Sequence, residues 1–199
     1  MKSKLLNTIH RGASVLVVGG LFISALMPNL ANAAQITSRK VTLGTSQPST
    51  STTHNYTFTA PSATTVKSID FTYCTTPSGS CTLPSGLTTT TAALNGSPAN
   101  LGSGGTWTVG GTPTNGRVQI TNTANTGSPS AAATVNFNTI TNPSISGNNQ
   151  NSFYVRIVSY SDDAWTTPID SGTVAGSVTN QIQVTASVDE TLNFCAFQT

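Results

Sequence analysis

Three cysteines, one histidine and a short run of carboxylates hold most of the reactive side chains past residue 33 of this 199-residue chain. Cys74 and Cys81 bracket Thr-Thr-Pro-Ser-Gly-Ser, a tight Pro- and Gly-containing loop just after an alternating run. In an exported chain that spacing reads as a disulfide. So short a loop restrains little unfolded-chain entropy, so the bond would serve to fix a loop shape. As metal ligands the pair lacks the close spacing of zinc sites, and no histidine accompanies the third cysteine. Cys195 is left over: it could pair with Cys74 or Cys81, stay free, or link two subunits. A nucleophilic Cys195 would need an activating group beside it. His54 lies in a polar, Ser/Thr-rich approach to a strand, where a solvated or structural role is expected.

Asp162-Asp163, with Asp170 beyond a Pro-containing turn, could offer oxygens to Ca²⁺. The run lacks the alternating ligands, central Gly and terminal Glu of a calcium loop, so a solvated turn is the simpler reading. Carboxylates within one loop are no evidence of flanking a glycosidic bond. Gly102-Ser103-Gly104-Gly105 lacks the Gly-Lys-Ser/Thr ending of a phosphate loop, and no cofactor is implied. Trp107 alternates with Val109 and reads as core. Trp165, in the polar loop 162–168, reads as an exposed contact for a sugar ring or a protein interface. Tyr154 and Tyr160 could join it as ligand contacts, although an aromatic row on a sheet is more often cross-strand packing.

The elements that must position these residues are strands. Ile69, Phe71 and Tyr73 alternate with Asp70 and Thr72; Val118 and Ile120 alternate with Arg117, Gln119 and Thr121; Val135 and Phe137 alternate with Thr134 and Asn136. Gln181–Val188 is the cleanest alternating run, and weaker strands are readable at Ile36–Leu43, Asn55–Thr59 and Thr106–Val109. This period of two is the half-buried antiparallel pattern. Phe153–Tyr160 carries bulk on both faces, as expected of a central strand or one whose outer face is covered. Asn115-Gly116 suits a tight hairpin before the Arg117 strand. About nine short strands with dense Gly, Pro, Asn and Ser punctuation predict an all-β, mainly antiparallel immunoglobulin-like β-sandwich, with a closed barrel as the alternative.

Residues 1–33 read as a secretory signal peptide. Lys2, Lys4 and Arg11 form a positive start, an apolar stretch runs from Val15 to Met27, Pro28 breaks it, and Ala31-Asn32-Ala33 is a small-x-small cleavage site. An uncleaved anchor is the competing reading, weakened by the short apolar run and its Gly19-Gly20. Residues 34–199 then form a single β-sandwich domain, long enough for a real core. The formal charge of the whole chain is +2. Without the three basic residues of the signal, five basic residues face six acidic ones, a net charge of about −1. Arg39-Lys40 is the only basic pair, so a nucleic-acid partner is excluded. No second apolar run is long enough to span a membrane.

Ala133–Pro143, Tyr154–Ile157, Ile169–Val174 and Gln181–Val188 together resemble secreted immunoglobulin-like surface proteins of candidate-phylum bacteria, a family without an assigned activity. The likeness covers about a third of the chain, residues 133–195, and implies location and fold more than activity. More loosely, the chain is similar to Thr- and Asn-rich subunits of bacterial surface fibres that share β-strands.

These readings converge on a secreted, noncatalytic structural or adhesive protein at the cell surface, whose partner is itself or another surface protein. A soluble glycan- or protein-binding module is the runner-up, and a secreted hydrolase comes third. Two terminal segments could complete a neighbour's sheet edge: Gln35–Leu43, and a C-terminal stretch carrying Leu192, Phe194, Cys195 and Phe197.

Overall fold

The computed structural model describes residues 33–145 and 151–180. Ten strands lie in this range. They are β1 (Ala34–Gln35), β2 (Thr37–Leu43), β3 (Ser51–Thr59), β4 (Ser68–Cys74), β5 (Ala93–Leu94), β6 (Thr108–Val109), β7 (Arg117–Thr121), β8 (Ala133–Thr141), β9 (Asn151–Tyr160) and β10 (Pro168–Val178). A six-stranded sheet runs β1-β10-β9-β4-β7-β6, and a four-stranded sheet runs β2-β3-β8-β5. Every pairing is antiparallel except β1 with β10. The result is an all-β, immunoglobulin-like sandwich.

Alternation explains why the two sheets close on each other, because one residue in two must leave water. Ile69, Phe71 and Tyr73 of β4, Val118 and Ile120 of β7, and Phe153, Val155 and Ile157 of β9 are buried. They meet Tyr56 and Phe58 of β3 and Val135, Phe137 and Ile140 of β8 in one core. Phe71 stands at its centre, 4.9 Å from the Tyr56 ring and 5.1 Å from that of Phe137, edge-on to the latter. The Gln181–Val188 run, with Ile182 and Val184, lies outside the described residues, as do Leu192, Phe194, Cys195 and Phe197.

β9 is central, with β4 on one side and β10 on the other, which accounts for the bulk on both of its faces. The Asn115-Gly116 pair turns the chain into β7: Gly116 has φ +83° and the Arg117 amide donates to the Thr114 carbonyl. Trp107 is partly buried and packs on the core.

Alternation does not govern every strand. β10 is eleven residues long, yet it carries glycines at 172 and 176. Both answer to close approach rather than to turning. A Cβ on Gly172 would stand 2.9 Å from Ile36 Cβ, and one on Gly176 would stand 2.5 Å from the Phe153 ring. β1, β5 and β6, with two residues each, are too short for any periodicity.

The chain switches sheets between β1 and β2. Ile36 donates its amide to the Ser171 carbonyl, Ser38 takes φ +46°, and the Arg39 guanidinium turns back onto β10. There Nε donates to the Thr173 carbonyl at 2.5 Å, while Nη1 donates to the Ile36 carbonyl. Gln35–Leu43, one of the two terminal segments eligible for exchange, thus pairs with β10 and β3 of its own chain.

Candidate functional site

The outer face of the six-stranded sheet carries the aromatic candidates, and two loops fold over it. Cys74 and Cys81 are joined by a disulfide with Cα atoms 4.9 Å apart. The loop so closed lies against β9 and β10. Arg156 donates from Nη1 to the Gly79 carbonyl at 2.7 Å and from Nη2 to the carbonyl and hydroxyl of Thr76, while Thr173 Oγ1 donates to the Pro77 carbonyl. Tyr154 stands opposite Cys74 in the register, half-buried beside this flap.

Tyr160 lies six residues further along β9, about 20 Å away at strand rise. Its neighbourhood is charged. Asp70, buried on β4, receives Arg117 Nε at 2.7 Å and also Arg117 Nη2. Burial, followed by the Asp70 charge, raises the Tyr160 hydroxyl above its ordinary value. The hydrogen bond Arg117 donates to Asp70 raises Arg117 in turn.

Trp165 does not project from its loop as a free contact. It is half-buried with φ +56°, and its ring lies over Gly110, where a Cβ would come within 2.4 Å of it. Its indole N–H is buried without an acceptor among the described residues. Tyr154, Tyr160 and Trp165 therefore occupy three separate settings rather than one stripe.

The carboxylates are also held apart in role. Asp162 folds its own loop: Oδ1 accepts from the amides of Ala164 and Thr166, and Oδ2 from that of Thr167 at 2.6 Å. Desolvation raises this carboxyl, but the amides and hydroxyls of Thr166 and Thr167 outweigh it, and it sits well below the ordinary carboxylate range. Asp163 is exposed. Asp170 is buried, taking a 2.6 Å hydrogen bond from Ser62 and a longer one from Ser159. Among the described residues, no three His, Cys, Asp or Glu side chains gather around a space for a metal ion.

His54 belongs to the interior. It follows the parity of Tyr56 and Phe58, and that shared parity, rather than its polar neighbours, is the sequence signal for where it goes. Tyr56 donates to the Tyr73 hydroxyl at 2.6 Å, and Tyr73 stands 3.2 Å from His54 Nδ1. His54 Nε2 stands 3.0 Å from Asn142 Oδ1, and Asn142 Nδ2 donates to the carbonyls of Thr45 and Gln47. Asn142 must present its oxygen to the ring because its nitrogen is committed to two carbonyls. The neutral Nε2–H tautomer then satisfies every member of the chain. Burial lowers His54 to about 4, against the upward pull of Asn142. It raises both tyrosine hydroxyls above their ordinary value. With both ring nitrogens occupied by Tyr73 and Asn142, His54 is not placed to activate a nucleophile.

The outer face of the four-stranded sheet carries polar side chains with few commitments. Thr42, Asn55 and Asn136 stand in register across β2, β3 and β8, and Lys40, Thr57 and Thr134 form the next row. Rows of this kind repeat at about 4.8 Å across strands and about 6.7 Å along them. No side-chain hydrogen bond ties Thr42, Thr57, Thr134 or Asn136 to another described residue, and Asn55 Oδ1 is buried without a partner. Lys40 is the one charge in these two rows. Lys40 apart, the face is a grid of uncharged groups that both donate and accept.

No protein-family model matches the chain, and neither does any curated protein. Among solved structures it is similar to BslA, described as a bacterial hydrophobin, with a TM-score of 0.42 and 14% identity over 77% of this chain and 98% of that one. It is also similar to the sixth cohesin of scaffoldin B from Acetivibrio cellulolyticus, solved in complex with a dockerin mutant. There the TM-score is 0.37 and the identity 17%, over 72% of this chain and 97% of that one. Likenesses of this size bear on neither activity nor partner.

Proposed function

We propose that residues 34–199 are exported as a noncatalytic cell-surface protein of structural or adhesive type. In this reading the chain assembles with further copies of itself through the outer face of the four-stranded sheet. The observation that carries the reading is the unpartnered grid of Thr42, Asn55, Thr57, Thr134 and Asn136. Hydroxyls and carboxamides both donate and accept, so such a face is complementary to itself under a two-fold axis. A net charge of about −1 past residue 33 leaves little long-range repulsion between copies.

Sedimentation velocity of the exported protein over a concentration series tests this. Self-association is expected, and the paired change Thr57→Lys with Thr134→Lys should abolish it while leaving the far-ultraviolet circular dichroism unchanged. A wild type that stays monomeric at the highest concentration would reject the reading in favour of a soluble module for a glycan or another surface protein.

A further inference from the structure

The chain contains two Asn-Gly pairs, Asn95-Gly96 and Asn115-Gly116, and the fold treats them in opposite ways. Asn-Gly is the dipeptide whose side-chain amide is lost most readily, because Gly offers no Cβ to hinder approach of its nitrogen to the Asn carbonyl carbon. Whether it reacts depends on two freedoms: the Asn side chain must swing, and the Gly N–H must be available.

At Asn115 both are withheld by one residue. Thr89, fully buried, donates its amide to Asn115 Oδ1 at 3.2 Å, and its hydroxyl accepts the Gly116 N–H at 2.8 Å. Gly116 is itself buried, with Leu83 where a Cβ would point. At Asn95 neither is withheld. Asn95 and Gly96 are exposed, Gly96 has φ +85° with open space around it, and no side-chain bond to Asn95 or bond to the Gly96 N–H appears among the described residues. The segment arches off the sheet between two anchors on β8: Asn95 donates its amide to Asn136, and Ala99 exchanges both backbone bonds with Thr134.

We propose that Asn95 is a site of spontaneous deamidation and that Asn115 is protected from it by Thr89. The Gly96 nitrogen attacks Asn95 Cγ, forming a C–N bond. The Asn95 Nδ2 leaves as ammonia with the proton the Gly96 amide gives up, closing a succinimide. Water then adds to either ring carbonyl, and the C–N bond beside it opens to give aspartate or isoaspartate. The product places a carboxylate at the end of β5, the edge strand of the four-stranded sheet, where charge discourages further strand pairing. Isoaspartate also lengthens the backbone between the two β8 anchors.

The test is peptide mass mapping of the intact exported protein aged for weeks at mildly alkaline pH. The amide-to-acid mass gain, split into aspartate and isoaspartate peaks, is expected at Asn95. Asn115 should react at least about tenfold more slowly, the factor one ordinary hydrogen bond adds to a barrier. Thr89→Ala should raise the Asn115 rate, and Gly96→Ala should slow Asn95 alone. In denaturant, where both pairs are free, the two wild-type rates should draw together, a comparison that stands even where Thr89→Ala does not fold. Equal rates in the native protein, a faster Asn115 or an unreactive Asn95 would overturn the proposal.

Discussion

His54 within β3 and Asn142 just past the end of β8, 88 residues apart, hold each other at 3.0 Å inside the sandwich, and the hydrogen-bond chain they anchor has one direction. Protons are donated from Tyr56 to Tyr73, to His54, to Asn142 and on to the carbonyls of Thr45 and Gln47. A second proton on His54 would set its Nδ1–H against the Tyr73 hydroxyl, which already accepts from Tyr56.

That arrangement sets a pH dependence. The folded His54 titrates at about 4 and an unfolded one at 6.5, so between these values the unfolded chain binds a proton that the folded one refuses. Stability should therefore be full above pH 6.5 and fall as pH drops toward 4, by about 3 kcal/mol over the window. Asp162 has a depressed carboxyl, and its contribution is present above the ordinary carboxylate value and lost in stronger acid. Urea unfolding across pH checks this, and His54→Gln should remove the upper window while leaving the acid one.

The two tyrosines should not be equivalent. Tyr56→Phe removes one donor from the end of the chain and should cost about 1 kcal/mol. Tyr73→Phe strands both the Tyr56 hydroxyl and His54 Nδ1 in the core and should cost about 2–3 kcal/mol. Denaturant midpoints at neutral pH distinguish them.

Opening the disulfide should cost about 2 kcal/mol by loop closure, since the bridged residues are seven apart. Arg156→Ala leaves the bond intact and removes the clasp on Thr76 and Gly79. Amide exchange across residues 75–80 should quicken in that variant with little change in global stability.

Gly110→Ala should displace the Trp165 ring, because the new methyl would occupy its place. In a Trp107→Phe background the emission should shift to the red as the indole enters water. An unchanged spectrum would show that the loop accommodates the methyl in place.

Much of this architecture is legible where apolar residues alternate. Phe71, Ile120, Phe137 and Val155 are fully buried as their parity requires. What hides is whatever is decided across the fold. Gly172 and Gly176 look like breaks in β10 until Ile36 and Phe153 are seen to need the space. Trp165 sits among polar neighbours, and only the distant Gly110 draws it down. Asp70 has the outward parity of its strand yet is buried, because Arg117 covers it. The grid is visible as Thr and Asn at alternate positions, but its emptiness of partners is a property of three registered strands.

The first described strand lies beside the last. β1 is held by β10, and Arg39 reaches Thr173 across 134 residues of sequence. A chain emerging from its amino end cannot close this seam until nearly the whole domain is out, and contacts so distant in sequence form slowly. β1 must therefore wait for its partner, and the six-stranded sheet reaches its full width only after β10 has been made.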